Sequence, residues 1–501
     1  MIGRVLAAVG LCVVIAVLTP FILKHHWNPL FDRQAWVEDF DALKAGMERQ
    51  YANLTWAASP GSGVDVPKLE RDARAALEAA RTDGQARQAI ERFLRGFKDG
   101  HIVPGGVARA LGEDVVRQPF AADLSADEAC QALFPGGSVP AYSTFSLPVE
   151  LVAAADLVTD GEAQPFRTAL LTLADGRRLG IIRIPSFFPK HYPAACREVW
   201  EAARPPAGAP CDAPCQRKFQ GRILERMTVL LGQRVAALRE KGAQALIVDV
   251  GGNPGGTIWY MPAAHQLTPR MIAGRPMLLV RDDSAAKFAD SLEKRVDALL
   301  TNATLPVAAR ASLREAQTTI RTFKSNLAAG GCDLSWVWRE ARVWDHTGAA
   351  GCGNLAAGLF TTGTAPLLEP GSLNAMEVER LIYFPASIPR RGAPWLGPMV
   401  VLVDGRSASA AEAFAFGLRE AGVARIVGRR TAGAGCGYVG TWNNVTLPRS
   451  GDIFSFPNSA CRLPDGRNAI VGVDPDVTLE GDLGARARTL LDVAGEGLAG
   501  S

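Results

Sequence analysis

The sequence has little net charge and few histidines, and it contains no low-complexity tract and no internal repeat. Its formal net charge is +3 over 501 residues, which leaves no basic stripe and argues against nucleic acid as a partner. Of its nine cysteines only Cys211 and Cys215 lie close together, in a Pro-rich loop without a nearby histidine, so a zinc site is disfavoured. With 48% hydrophobic and 21% charged residues, the chain has the composition of an ordinary globular protein.

One long hydrophobic run is present, and it lies at the N-terminus. Arg4 precedes an uninterrupted apolar segment that ends at Lys24. About 20 such residues cross a bilayer as a helix. No small-x-small cleavage site follows, so residues 1–27 are predicted to be an uncleaved membrane anchor rather than a removed signal.

The cysteines beyond this run form an even set of eight, which favours disulfides and an oxidising compartment. Sequence alone does not fix how they pair. The main part of the protein is therefore predicted to face the periplasm or the cell exterior from the inner membrane, or alternatively to be secreted.

The periodicity of the apolar residues divides the rest of the chain. Helical spacing predicts a helical subdomain over residues 33–103, and residues 104–175 are mixed. From 176 to 490, short apolar runs alternate with helices, which indicates an α/β layer covered on both faces. Residues 283–345 interrupt this layer with a predicted helical pair and a Trp-rich stretch, interpreted as an insertion packed on the core or, alternatively, a lid.

The segment "VLVDGRSASAAEAFAFGLREAG" (residues 401–422) reads as a buried strand, a turn and a helix, with Ser409 at the start of the helix. Unpaired N–H groups at a helix start stabilise developing negative charge, so the Ser409 hydroxyl is a candidate nucleophile although the G-x-S-x-G pattern is absent. The alternative is structural, because Ser409 and Glu412 have the spacing of a capping box.

Two further segments carry candidate chemistry. In "VDVGGNPGGT" (248–257), glycines follow a buried strand, and their N–H groups can bind an oxyanion or merely form a tight turn. The segment is not a phosphate-binding loop, because no G-K-[ST] follows. In "FKDGHI" (97–102), His101 is a candidate base or an ordinary surface histidine.

Taken together, these segments resemble the tail-specific, C-terminal-processing serine peptidase family, especially its tricorn-like and retinoid-binding-protein-like branches. The resemblance covers roughly residues 33–103 and 176–480, and it includes "IVGRRTAGAG" and "GVDPDV". It implies a crotonase- or ClpP-like β/α core with Ser409 as nucleophile. It also implies an oxyanion hole from the N–H of Ala410 and of Gly255 or Gly256.

The sequence departs from the processing branch at its base. Ala434 stands in place of that branch's lysine, Glu420 stands in place of an aspartate, and no PDZ signature occurs between 104 and 175. The resemblance to the tricorn-like branch implies His101 as the base instead. The supporting acid expected before "GVDPDV" is missing, and Asp99, Glu412 and Asp474 remain as candidates.

We therefore predict a serine peptidase that acts on peptide or protein substrates, with no metal and no cofactor. Two alternatives share the same fold: a non-catalytic binder of an apolar ligand or peptide, and a serine esterase. The oligomeric state is not predicted.

Overall fold

The computed structural model describes residues 31–106, 118–134, 144–149, 152, 156–159, 165–206, 208–301, 303, 305, 307–328, 331, 333–344, 354–361, 386–387, 394–440 and 443–496. The predicted anchor, residues 1–27, lies outside these ranges, as do Cys12, Cys332 and Cys352. None of the helices inside them is both long enough and apolar enough to cross a membrane.

The helices within the described ranges are α1 Arg33–Gln50, α2 Leu54–Ala57, α3 Val66–Ala79, α4 Asp83–Gly96, α5 Ala126–Leu133, α6 Pro193–Ala203, α7 Ala213–Glu240, α8 Tyr260–His265, α9 Asp283–Leu300, α10 Val307–Ala328, α11 Ala410–Glu420 and α12 Leu483–Glu496. The strands are β1 Val103–Pro104, β2 Phe120–Ala121, β3 Asp156–Thr159, β4 Thr168–Thr172, β5 Arg178–Arg183, β6 Pro210–Cys211, β7 Ala245–Asp249, β8 Ile272–Ala273, β9 Pro276–Val280, β10 Leu355–Phe360, β11 Ala386–Ser387, β12 Met399–Val403, β13 Arg425–Gly428, β14 Asn444–Thr446, β15 Ile453–Ser455, β16 Ser459–Cys461 and β17 Val477–Thr478.

A seven-stranded sheet forms the centre of the fold, in the order β17-β13-β12-β7-β5-β4-β3. The neighbours from β17 to β5 are parallel, whereas β4 and β3 join antiparallel at one edge. All side chains of β7 and β12 are buried, as expected of parallel strands covered on both faces. The predicted α/β core is thus confirmed, and the sheet also takes in β3 and β4, which precede residue 176.

The carboxyl ends of β5, β7, β12 and β13 meet at one edge of this sheet because the four strands are parallel. The glycine-rich turn 250–256 follows β7, the turn 404–409 follows β12, and the loop 429–435 follows β13. Ligand sites of open α/β sheets lie at this edge. The topology therefore brings two of the predicted segments and the loop containing Ala434 together.

The N-terminal helices α1 to α4 form a second hydrophobic core. It contains Phe40, Leu43 and Phe93, and it is completed by side chains from far along the chain, including Phe454 and Phe456. Strand β1, which follows His101, pairs antiparallel with β15, and β15 pairs with β14. This pairing fixes the loop that carries His101 relative to the rest of the molecule. The boundary of the 33–103 subdomain itself stays a prediction.

The predicted insertion contains the expected helical pair, α9 and α10. Its apolar side chains, among them Phe288, Leu292 and Phe323, belong to the main hydrophobic core. In the Trp-rich stretch, Val337 and Trp338 are buried against the N-terminal helices. The pair therefore packs on the core, as the sequence interpretation preferred.

Three disulfides lie within the described ranges, and each joins cysteines that are neighbours in the order of the chain. They are Cys130–Cys196, Cys211–Cys215 and Cys436–Cys461.

Candidate active site

The turn between β12 and α11 places Ser409 in a strained backbone conformation. Ser409 caps the helix with φ 53° and ψ −114°, a region that residues with a side chain rarely adopt. Such conformations persist only where the surroundings impose them, and they cluster at functional sites. The half-buried Ser409 thus sits on a sharp strand-to-helix turn.

The two serines of this turn have different environments. Ser407 is fully buried, its Oγ donates to Val250 O at 2.8 Å, and it accepts from the Asp404 amide at 3.0 Å. Its hydroxyl therefore holds the turn 404–409 against the turn after β7. Ser409 lines a cavity of about 750 Å³ at this edge of the sheet.

Ser409 and Glu412 have the arrangement of a capping box, in which the Ser409 side chain faces the Glu412 amide and the Glu412 side chain faces the Ser409 amide. The second contact is a hydrogen bond, from Ser409 N to Glu412 Oε2 at 2.9 Å. The carboxylate therefore anchors the Ser409 backbone without engaging its hydroxyl.

Glu412 is buried and also accepts bonds from the loop after β13. These donors are Thr431 Oγ1 and the amides of Gly433, Ala434 and Gly435, at 2.5 to 3.2 Å. Because helix residue Glu412 is one turn from Ser409, a single carboxylate fixes both the serine turn and the loop beside it.

The glycine turn after β7 packs directly against Ser409. A Cβ on Gly255, which has φ 94°, would lie 2.9 Å from Ser409 Cβ, so a side chain there is excluded. The Gly255 amide donates to Asn253 Oδ1 at 2.8 Å. Within the described part of the chain, the amides of Gly256 and Ala410 have no such acceptor, and both residues line the cavity. Of the predicted oxyanion donors, these two amides are available.

His101 reaches the same cavity from the N-terminal helices. Its Nδ1 lies 3.0 Å from Ala434 O. A carbonyl oxygen only accepts, so Nδ1 carries a proton and Nε2 is the basic nitrogen of the neutral ring. A Cβ on Gly437 would lie 2.7 Å from Nε2, so glycine makes room for the ring.

Asp99, the first candidate acid, lies beside the imidazole. Its Oδ1 accepts from His101 N at 2.9 Å and is 3.8 Å from His101 Nδ1. Its Oδ2 accepts from Tyr51 Oη and Asn53 Nδ2, each at 3.0 Å. The carboxylate is buried, and these donors orient it towards the histidine loop.

Two tyrosine hydroxyls next to Asp99 are held in their neutral form. Burial, and secondarily the negative charge of Asp99, raises the pKa of Tyr51 well above its ordinary value. The same causes raise the pKa of Tyr438, whose hydroxyl donates to His101 O at 2.5 Å. Neither phenol can therefore compete with the imidazole as a base near neutral pH.

The remaining candidate acid, Asp474, does not line the cavity. Its exposed carboxylate pairs with Arg430 at 3.3 Å. The structure thus brings together Ser409, His101, Asp99 and Gly256 with the buried Glu412, and it leaves Asp474 outside this group. Ser409 Oγ and His101 share the cavity without a direct hydrogen bond between them, and catalytic contacts often tighten only when substrate is bound.

A second serine–histidine pair lies behind the cavity wall, next to Phe188, which lines the cavity. His191 Nδ1 is 2.7 Å from the buried Ser186 Oγ, and neither residue lines the cavity itself. Burial, and to a lesser extent Lys190, lowers the pKa of His191. Sequence reasoning passed over this pair because no motif marks it.

Sequence reasoning also missed the groups that hold Asp99. Tyr51 and Asn53 lie between helices 33–50 and 54–57, more than 40 residues from Asp99, and nothing in their local pattern signals the contact. Sequence reasoning likewise did not identify Arg275, a buried residue of the cavity wall, because no local pattern marks it.

Comparison with known proteins shows related structures of low identity. The structure of mature CPAF has 18% identity and a TM-score of 0.54, covering 92% of this chain and 96% of that one. CPAF complexed with lactacystin has 16% identity and a TM-score of 0.54, covering 92% and 98%. A CPAF mutant has 15% identity and a TM-score of 0.55, covering 92% and 96%. These similarities establish the fold.

No curated protein matches the sequence significantly. The model of peptidase family S41 matches residues 178–479, which is more than half of the chain. This match confirms the resemblance and the prediction of a serine-type hydrolase. The chain belongs to peptidase family S41 and is a serine-type peptidase.

Proposed function

We propose that this peptidase hydrolyses peptide bonds with Ser409 as nucleophile and His101 as general base. The observation that carries the proposal is the convergence of the strained Ser409 turn, the imidazole and two acceptor-free amides on one cavity of about 750 Å³. These elements come from three separate parts of the chain. A purely structural role for Ser409 gives no reason for an imidazole to face the same space.

The position of the ring proton supports this assignment. Because His101 Nδ1–H is directed at Ala434 O at 3.0 Å, Nε2 is the nitrogen that can take the Ser409 proton. The serine oxygen then attacks the peptide carbonyl, and the imidazolium passes its proton to the leaving amine. Water hydrolyses the resulting acyl-enzyme by the same route in reverse.

Two further features support this chemistry. The amides of Ala410 and Gly256 are the proposed donors to the tetrahedral oxyanion, at about 3 kcal/mol each. Asp99 holds the histidine loop through the His101 amide, and its Oδ1 lies 3.8 Å from His101 Nδ1. Glu412 is assigned a positioning role, since its oxygens are occupied by the serine turn and by the loop that contains Ala434.

A fluorophosphonate probe and a peptide hydrolysis assay test the proposal. The wild-type protein should be labelled at Ser409, and Ser409→Ala and His101→Asn should reduce turnover to background. His191→Asn is the matched control, because it changes the other serine–histidine pair, keeps the bond from the Phe188 amide to Ser186 Oγ and should leave turnover unchanged. Labelling that persists in Ser409→Ala, or turnover lost only in the control variant, would contradict the assignment.

The same assay separates the alternatives. Hydrolysis of esters without hydrolysis of peptides would indicate an esterase. Absence of both reactions and of labelling, with retained ligand binding, would indicate a binder on this fold.

We also propose that residues 1–27 anchor the protein in the inner membrane, with the peptidase part in the periplasm or outside the cell. The apolar run and the three disulfides support this location. Carbonate extraction and protease accessibility in spheroplasts test it. Recovery in the carbonate-soluble fraction would exclude the anchor.

A further inference from the structure

Arg275 is a buried cation in the wall of the cavity that Ser409 lines. The residue is 7% exposed and directly precedes β9. Its guanidinium stacks over the Phe416 ring at 4.8 Å. Phe416 is seven residues from Ser409 on α11, two helical turns along the same face. The guanidinium therefore lies against α11 where Arg275 borders both the Ser409 cavity and a neighbouring cavity lined by Phe416.

No carboxylate of the described ranges forms an ion pair with Arg275. Glu412 and Glu420 attract it only at longer range. The oxygens of Glu412 are occupied by other donors, and Glu420 pairs with Arg419 at 3.6 Å. Burial lowers the pKa of Arg275, and the opposing effects of Tyr260, Glu412 and Glu420 do not outweigh it. A buried charge is costly unless it is paired, so this one is suited to a partner that arrives from the cavity.

The other cations of the cavity wall add to its positive charge. Arg95 and Lys98 lie on the exposed side, and Arg95 pairs with Glu91 at 3.4 Å. Asp99 is the only carboxylate among the described lining residues, and its oxygens accept from Tyr51, Asn53 and the His101 amide. The described lining therefore carries a net positive charge, which suits a negatively charged peptide.

We propose that Arg275 binds an acidic side chain of the substrate, so that the enzyme selects peptides with glutamate or aspartate near the cleaved bond. This inference rests on the proposed function, since it assumes that substrate enters the Ser409 cavity. A guanidinium binds a carboxylate through two parallel N–H···O bonds, and a neutral amide cannot replace that interaction. A site built for such a group strongly disfavours the substrate that lacks it.

The alternative is that Arg275 only packs against Phe416. Three substitutions separate the two roles. Arg275→Met keeps much of the packing and removes the charge. Arg275→Lys keeps the charge but loses the planar guanidinium that can donate two parallel hydrogen bonds, and Arg275→Glu reverses the charge. Arg462→Gln is the matched control, because Arg462 lines the neighbouring cavity that Arg275 also borders and is not part of the Ser409 cavity.

The substrates are fluorogenic peptides in which one glutamate is moved through the positions on both sides of the cleaved bond. Each is paired with its glutamine and lysine counterparts, and each is made with a free and an amidated C-terminus. At one position, kcat/KM should be at least about tenfold higher for glutamate, which is the lower range for a charge-assisted hydrogen bond. The preference should be lost in Arg275→Met, weakened in Arg275→Lys, turned towards lysine in Arg275→Glu and kept in Arg462→Gln.

Several results would overturn the inference. Equal kcat/KM for glutamate and glutamine peptides at every position, while a fluorophosphonate still labels Ser409, would refute it and leave the proposed function standing. A higher kcat/KM for peptides with a free C-terminus, without any preference for glutamate, would indicate that Arg275 binds the terminal carboxylate of the peptide instead of a side chain. A stability loss in Arg275→Met with unchanged preference would leave only the packing role.

A binding measurement covers the case in which no peptide is cleaved. Fluorescence anisotropy with the Ser409→Ala protein should show tighter binding of the glutamate peptide than of its glutamine counterpart, and Arg275→Met in that background should remove the difference. Equal affinities would refute the role of Arg275 whether or not Ser409 is catalytic.

Discussion

The strain at Ser409 predicts an unusually large difference in stability between two substitutions. Inside a helix glycine is ordinarily less stable than alanine, but at an N-cap it is ordinarily the more stable one, by about 0.5–1 kcal/mol. At Ser409, the N-cap of α11, the strain adds to this preference, because φ 53° strains any residue with a Cβ and costs on the order of 1–3 kcal/mol. Ser409→Gly should therefore unfold with a free energy roughly 1.5–4 kcal/mol higher than Ser409→Ala.

The two variants form a clean pair since both lack the hydroxyl. Differential scanning calorimetry measures the difference in melting temperature, which is about 1 °C per kcal/mol of unfolding free energy for a chain of this size. Ser125→Gly and Ser125→Ala are the control pair, because Ser125 is the N-cap of α5 with an ordinary φ of −58°. There the glycine variant should be the more stable one by only about 0.5–1 kcal/mol. A difference at 409 no larger than the difference at 125 would refute the strain argument.

Three further predictions concern the surroundings of the site. Asp99→Asn should lower kcat on the order of 100-fold with little change in KM, because it disturbs the ring that transfers the proton; a change confined to KM would contradict this. Replacing both Cys436 and Cys461 by serine should lower the free energy of unfolding by about 3 kcal/mol, because the disulfide spans 25 residues, and should lower turnover, because Cys436 lines the cavity. The same replacement at the short Cys211–Cys215 bridge should leave turnover unchanged. Burial raises the pKa of Glu70, but the hydrogen bonds and charges of Lys44 and Arg74 outweigh burial, so the pKa is lowered in the folded protein. The ionised Glu70 therefore stabilises the fold near pH 7, and this stabilisation is lost as the pH falls through the folded-state pKa. The difference in melting temperature between wild type and Glu70→Gln should accordingly vanish in acid.

The central sheet and the approach of the serine and glycine turns could be predicted because each signal is local. The strands around 247 and 401 are short apolar runs that end in turn residues, and parallel strands bring those turns to one edge. The position of Ser409 followed from the start of α11. Its backbone strain did not, since no residue pattern marks a positive φ outside glycine.

The remaining parts of the site depend on contacts between distant residues. Asp99 is held by Tyr51 and Asn53, and Ala434 O meets His101 across 333 residues of sequence. Such pairs are set by how two hydrophobic cores dock, which no local periodicity encodes. Likewise the burial of Arg275 results from the packing of β8, which precedes it, beside α11, so composition alone gave no hint of it.

The second hydrophobic core has a consequence for biosynthesis. Helices α1 to α4 leave the ribosome first, but their apolar faces are covered only when Phe454 and Phe456 have been made. At roughly 5–20 residues per second, about 350 further residues take on the order of 20–70 seconds to translate. During that interval the nascent helices expose an uncovered apolar surface that suits a chaperone, and the imidazole has no fixed place. The loop that carries His101 is therefore placed beside Ser409 only when translation is nearly finished.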